Sequence, residues 1–293
     1  MAAAGVTSWQ AQAQDCCAGG LPNDVSDFAV LYAGDPHNLN FTSSTVTGNV
    51  GIGDTGGFVG SGSGTVFGTV EFAAANIGQF IPNGISVTGG ATFGNAHVQS
   101  NLNTLTSISQ TLSGEAGAPL TISGGGSVNA SSGILDPHGG NRVFTATIDS
   151  SFFDGTTFTI NGTSSDFVVI NIPNVPSIDG VTVGFDGSIV LSGGITPDHV
   201  LFNFDKGDFD NLTGGDTLMI DTDGNMTTGI FLDPNANFII TDSVIFGRIF
   251  GGGSEFNSTI QTMNPTNPDF RTNIVAPPLF PTPEPPKKRR KVD

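Results

Sequence analysis

Apolar residues along this chain recur in short runs closed by glycine. The phrase reads Val46-Thr47-Gly48, Val66-Phe67-Gly68, Val87-Thr88-Gly89, Ile122-Ser123-Gly124, Ile160-Asn161-Gly162, Leu191-Ser192-Gly193 and Ile245-Phe246-Gly247. The first three glycines stand 20 and 21 residues apart, and Gly124 to Gly162 is 38, close to two such steps. A strand that ends in a glycine turn at a fixed period of this size builds stacked coils, so the pattern predicts an all-β chain wound as a β-solenoid. Residues 26–93 keep to it, with Ser26–Leu31 as a short apolar strand and Gly48–Gly53 and Gly64–Phe72 as β-branched runs punctuated by Gly.

One stretch breaks the rhythm. Val98, Leu102, Leu105, Ile108 and Leu112 are spaced 4, 3, 3 and 4, which predicts a helix over Ala96–Leu112, with Ser113-Gly114 where a C-cap would sit. A single amphipathic helix is marginal in water, so its stripe is expected to pack against the flank of the solenoid. Strands then resume. Phe167-Val168-Val169-Ile170 and similar continuous runs suit strands buried on both faces.

Composition supports this vocabulary. Only 12% of residues are charged, 42 of 293 are Gly, and 22 of the 26 acids are Asp, which favours turns where Glu favours helices. The formal net charge is −17, and residues 1–286 carry four bases against 25 acids, or −21. Such a body repels nucleic acid and anionic membrane. The 23 Phe against one Trp and one Tyr point to aromatic packing inside coils rather than to sugar-stacking platforms.

The ends read differently from the middle. Residues 1–23 are expected to be a residual secretory signal and N-terminus, because Ala11-Gln12-Ala13 fits an A-x-A cleavage site, although a basic n-region and an apolar h-region are missing. Cys16 and Cys17 are adjacent, a spacing that strains any bond between them and gives no metal-type pattern. Residues 24–262 are expected to form the solenoid domain, and residues 263–293 a disordered Pro-rich linker and basic tail. Pro283-Glu284-Pro285 resembles the start of the bacterial PEP-CTERM sorting signal, without the apolar span that accompanies it. Lys287, Lys288, Arg289, Arg290 and Lys291 also resemble a nuclear-localisation segment, which could redirect a fusion to the nucleus.

Three phrases carry a family resemblance. Asp27–Leu31 followed by Val46–Gly53 resembles the opening of both the choice-of-anchor A proteins and the ice-binding β-solenoids. Leu191–Phe204 and Gly229–Ala236, followed by Phe246–Gly252, are closer to choice-of-anchor A. The resemblance covers about residues 24–262. It implies a bacterial protein, secreted or at the cell surface, with a right-handed β-solenoid and one long helix alongside.

Candidate chemistry is sparse. His37, His97, His138 and His199 sit in unrelated contexts, three of them beside turn-forming Asp, and no nucleophile elbow is present. Asp221, Asp223 and Asn225 have the D-x-D-x-N start of a calcium loop, but Met226 and Leu232 stand where such a loop needs Gly and Glu. Asp205, Asp208 and Asp210 form a second acidic group. Thr45/Thr47, Thr145/Thr147 and Thr157/Thr159 are T-x-T pairs whose hydroxyls share a strand face, as an ice-facing surface would require. The six N-x-S/T sites, among them Asn40, Asn129 and Asn257, read as products of an Asn- and Thr-rich composition. The expectation is a non-enzymatic protein with a structural or adhesive role, meeting extracellular matrix, polysaccharide or a cell surface, with no cofactor other than calcium. The alternative is ice binding on a flat solenoid face. A polysaccharide-active enzyme is a more distant third.

Overall fold

The computed structural model describes residues 23–276 except 35, 137–139, 150–155, 174–176, 179–180, 183–185, 205–216, 254–256 and 264–271. A short helical turn, Asn23–Ser26, leads into the first coil, made of β1 (Phe28–Tyr32), β2 (Asn38–Thr42) and β3 (Thr45–Thr47). The second holds β4 (Asn49–Ile52), β5 (Gly57–Ser61) and β6 (Thr65–Phe67). The third holds β7 (Val70–Ala73), β8 (Phe80–Ile81) and β9 (Ser86–Val87). β10 (Ala91–Asn95) opens a fourth coil and runs into helix α1 (Ala96–Ser113).

After the helix come β11 (Ala118–Ile122), β12 (Ser127–Asn129), β13 (Ile134–Leu135), β14 (Arg142–Ile148) and β15 (Thr157–Asn161). β16 (Val168–Asn171), β17 (Ser177–Ile178), β18 (Val181–Thr182), β19 (Ser188–Ser192) and β20 (Val200–Asn203) follow. β21 (Thr217–Asp221), β22 (Met226–Asp233), β23 (Asn237–Thr241), β24 (Val244–Gly251), β25 (Ser258–Gln261) and β26 (Asn273–Val275) complete the strands. β26 lies in the stretch read from the sequence as linker, and it pairs with β24 and β3.

The strands line three sides. Ten parallel strands form the first, in the order β10-β7-β4-β1-β24-β22-β20-β16-β14-β11. The chain therefore starts in the middle of the stack, winds out to the β10 end, crosses along the helix and returns from the β11 end until β24 meets β1. The second side is β21-β23-β25-β2-β5-β8. The third runs β9-β6-β3-β26 and on to the first halves of β24 and β22. Beyond β22 it meets the β19-β15-β12 sheet, where the Ile189 N–H donates to Thr227 Oγ1 at 3.1 Å.

The recurrent glycine is the corner between the third and first sides. Val46, Val66 and Ile245 point into the core, and the next residue but one turns the chain. At that turn the coils lie so close that a Cβ on Gly68 would run into the Gly48 carbonyl oxygen. Gly247 meets the Gly229 carbonyl in the same way. Ile122-Ser123-Gly124 is the exception, because Ile122 ends a strand of the first side.

Helix α1 covers the outside of the first side. Asn95 caps it by accepting from the His97 N–H at 2.8 Å, and Val98, Leu102, Leu105, Ile108 and Leu112 are all buried. They pack on Leu31, Val143, Val169, Leu201, Ile230 and Phe250, so these strands are buried on both faces. Beneath its C-terminal half lies a polar ladder. Asn203 donates to the Ser109 carbonyl (3.0 Å) and to Asn171 Oδ1 (2.9 Å), and Asn171 donates to the Leu112 carbonyl (2.7 Å).

The meeting of the two halves is tied by a buried cation. Arg248 on β24 donates through Nη1 to the Phe28 carbonyl on β1 at 2.6 Å and through Nε to Asp198 Oδ1 at 3.2 Å. Both partners of that ion pair belong to the phrases that carry the choice-of-anchor A resemblance. The ends of the first side are blunted against further pairing. β10 slips register between Thr92 and Asn95. At the other end Asp149 donates to the Ile122 carbonyl, so Pro119 turns its missing N–H to the outer edge.

Candidate flat face

The second side presents three outward columns. Along the first lie Thr217, Asn237, Asn257, Asn38 and Gly57; along the second Met219, Ile239, Thr259, Asn40, Val59 and Ile81; along the third Asp221, Thr241, Gln261, Thr42 and Ser61. A central column rich in apolar residues is thus flanked by amides and hydroxyls, of which Asn237 and Thr241 are themselves buried. Alternation along each strand sends Leu218, Phe238, Leu39 and Phe58 inward, where they are buried.

Two properties bear on what this side can meet. Among the described residues of its strands it carries a single ionisable side chain, Asp221, at its edge. Its central aliphatic side chains, Met219, Ile239, Val59 and Ile81, are also half-buried, each in register with a neighbour one strand away. The polar columns are held by their own bonds. Thr42 Oγ1 and Ser61 Oγ are 2.9 Å apart, Gln261 Nε2 donates to Thr241 Oγ1 at 3.3 Å, and Thr217 Oγ1 donates to Asn237 Oδ1 at 2.9 Å. Strand spacing of ~4.8 Å and a same-face repeat of ~6.7 Å along each strand make a two-dimensional lattice about 24 Å long across its six strands.

The T-x-T pairs do not share this side. Thr45 and Thr47 lie on β3, and Thr157 and Thr159 on β15, all on the third side. Thr145 and Thr147 face outward from β14 on the first side, in register with Pro119 and Thr121. The six candidate ice-facing residues are therefore divided between two sides, because period-two alternation fixes in or out but not which side of the prism a strand occupies. The third side is also uneven: Phe67 is 54% exposed and Met226 51%. Thr42, Thr241 and Thr259 give no local signal in the sequence, since each stands without a second Thr two residues away.

Asp221, Asp223 and Asn225 form a corner. The Asp223 N–H donates to Asp221 Oδ1 at 3.3 Å, and Asn225 Nδ2 donates to the Thr222 carbonyl at 2.9 Å. Among the described residues no three His, Cys, Asp or Glu side chains gather as a metal site. Burial pushes the Asp221 carboxyl up to about 6, and Asp223, Asp186 and Asp242 add to the effect. Burial also raises Asp198 above the usual carboxylate range, against the pull of Arg248. His199 packs its ring on Phe167 at 5.9 Å. Cys16, Cys17, His138, Asp205, Asp208, Asp210 and the Lys287–Lys291 tail lie outside the described residues. Among those described, no helix is long and apolar enough to cross a membrane.

No family model matches the chain, and no curated protein matches it. Solved structures do. An ice-binding protein from the Antarctic ascomycete Antarctomyces psychrotrophicus aligns with a TM-score of 0.49 and 14% identity over 83% of this chain and 97% of that one. An ice-binding protein from an Arctic yeast gives 0.49 and 14% over 91% and 97%. One from an Antarctic bacterium of the Flavobacteriaceae gives 0.48 and 13% over 83% and 46%. These are likenesses of coil architecture at low identity; the strand order and the chemistry of each side are read from this chain itself.

Proposed function

We propose that this chain binds ice through its second side. The observation that carries the reading is the six-stranded, in-register ladder of Thr, Ser, Asn, Gln and aliphatic side chains, interrupted by one carboxylate at its edge. Ice offers a rigid, uncharged array of oxygens. An ionic side chain holds its own hydration shell and cannot join that array, whereas hydroxyls and amides can replace lattice waters and aliphatic groups between them leave water free to order. In a chain of net charge −17, a side of this size with one charged group is the pattern such a contact requires.

This reading displaces the structural or adhesive role as the leading one. Capture of polysaccharide or another macromolecule calls for aromatic platforms or concave pockets, and this side offers neither. We take the coils as right-handed, the sense of nearly all parallel crossovers. We place the protein outside the cell or at its surface, in keeping with the choice-of-anchor A phrases and Ala11-Gln12-Ala13, and assign it no catalytic activity. Thermal hysteresis and ice-recrystallisation inhibition test the proposal. The chain should be active, and Asn40→Tyr or Thr42→Tyr, which raise a ring from the middle of the second side, should each lower activity several-fold without shifting the melting midpoint. An inactive parent chain, or full activity in both variants, would sink it.

A further inference from the structure

One end of the stack is formed by β8, β9 and β10, each of which has a partner strand on one side only. The core column is open there. Phe93 on β10 lies on Phe72 of the coil beneath, with ring centroids 4.6 Å apart and planes 9° from parallel, yet it is 59% exposed. One ring face therefore covers the core while the other is turned out of the stack. Ile77, in the turn that leads into β8, is 89% exposed. A Cβ on Gly90 or Gly94 would meet nothing within 4 Å, so no described residue lies over β10 at either position. Coiled stacks close with a polar cap, because an open layer of core leaves apolar surface in water. Among the described residues none closes this end.

Charge and strand edges narrow what can cover it. Residues 72–96, turns as well as strands, hold no ionisable side chain, whereas the coil beneath carries Glu71 and the one below that Asp54. At the far end Glu115, Asp136, Arg142 and Asp149 flank or lie on β11, β13 and β14. In a chain of net charge −17 two copies repel wherever their acids meet, and the β10 end is where they have none to bring together. Head-to-tail addition is blocked. β10 slips register between Thr92 and Asn95, and β11 turns Pro119 to its outer edge, so the parallel sheet cannot run on from one copy into the next. Two like ends need no shared sheet, because the outer face of Phe93 can stack on its own copy as its inner face stacks on Phe72.

We propose that the β10 end is a self-association surface, on which a second copy of this chain docks end to end about a two-fold axis with Phe93 and Ile77 of both copies buried between them. Two-fold closure stops at the dimer. The end of one coil is small, which puts the contact among the weak, concentration-dependent ones. All three sides stay free in such a dimer, so the inference stands apart from the ice-binding reading.

Light scattering after gel filtration, together with small-angle X-ray scattering, tests this across a concentration series. The parent chain should pass from monomer to dimer as concentration rises, and the dimer's longest dimension should approach twice the monomer's. Ile77→Asp places a carboxylate in the contact at a position too exposed to disturb the fold. It should weaken the dimer at least about ten-fold with an unchanged melting midpoint. Phe93→Glu should weaken it likewise. Met226→Asp, at an exposed apolar position on the third side, should leave the dimer intact. A monomer at every concentration overturns the inference. So do a dimer that neither Ile77→Asp nor Phe93→Glu weakens, one that Met226→Asp weakens as much, and species that grow beyond two copies.

Discussion

Replacing Arg248 by Met keeps most of the side-chain volume and removes the charge that joins the two halves of the coil. The guanidinium is 1% exposed and its partner Asp198 20%. Loss of one member of a buried pair costs about 3–5 kcal/mol, mostly because the other charge is left uncompensated. Asp198 already sits above the usual carboxylate range through burial, so it can take up a proton once Arg248 is gone. That places R248M at the lower end, about 3 kcal/mol, a large share of the stability of a typical domain. The bond to the Phe28 carbonyl is lost as well, which leaves β1 less firmly held against β24. D198N removes the carboxylate that faces the buried cation and should cost a similar amount. The double variant R248M/D198N buries no charge and should cost much less than the two singles together. Urea unfolding of the four proteins at pH 7, with unchanged m-values, gives the cycle directly. A loss under about 1 kcal/mol for R248M, or additivity of the singles, would refute the reasoning.

Three further outcomes are expected. Gly68→Ala drives a methyl into the Gly48 carbonyl of the coil beside it and should destabilise by about 1–3 kcal/mol in urea melts, although Ala normally suits a strand interior better than Gly. Asn203→Ala leaves the Ser109 hydroxyl and carbonyl and the Asn171 amide oxygen without their buried partner, costing about 3 kcal/mol and loosening helix α1, which hydrogen exchange along Ala96–Ser113 would show. The folded-state pKa of Asp221, about 6, lies above its ordinary 3.8, so the folded chain binds that proton more tightly than the unfolded one. Stability from this group is present at low pH and is lost as pH rises through the window between those values; Asp221→Asn should flatten that part of the melting profile, and excess Ca²⁺ should leave the parent midpoint unchanged.

How much of this was legible in the sequence differs from element to element. The apolar-x-Gly phrase announced coils because a strand's inward residue and its corner glycine are neighbours in the chain. The helix over Ala96–Leu112 was equally plain, since its five buried apolar residues repeat within a single local period, and it extends one residue further. The ladder of the second side was not legible. Its columns join Thr42 to Ser61 on one neighbour and Gln261 on the other, and no local pattern connects residues 42 and 261. Arg248 read as one of few bases and proved to be the buried tie to Phe28, 220 residues away.

The sequence by itself determined the coil, the corner glycines, the single helix and the scarcity of charge, all consequences of interactions within about one turn of the solenoid. The tertiary structure decided which side each strand occupies, that the first coil stacks in the middle of the pile between β4 and β24, and hence which polar residues stand together in one ladder. The physical reason is that alternation along a strand settles only whether a side chain faces the core; the side it faces depends on how many residues each corner takes up, and the partner strand on where the returning chain meets β1.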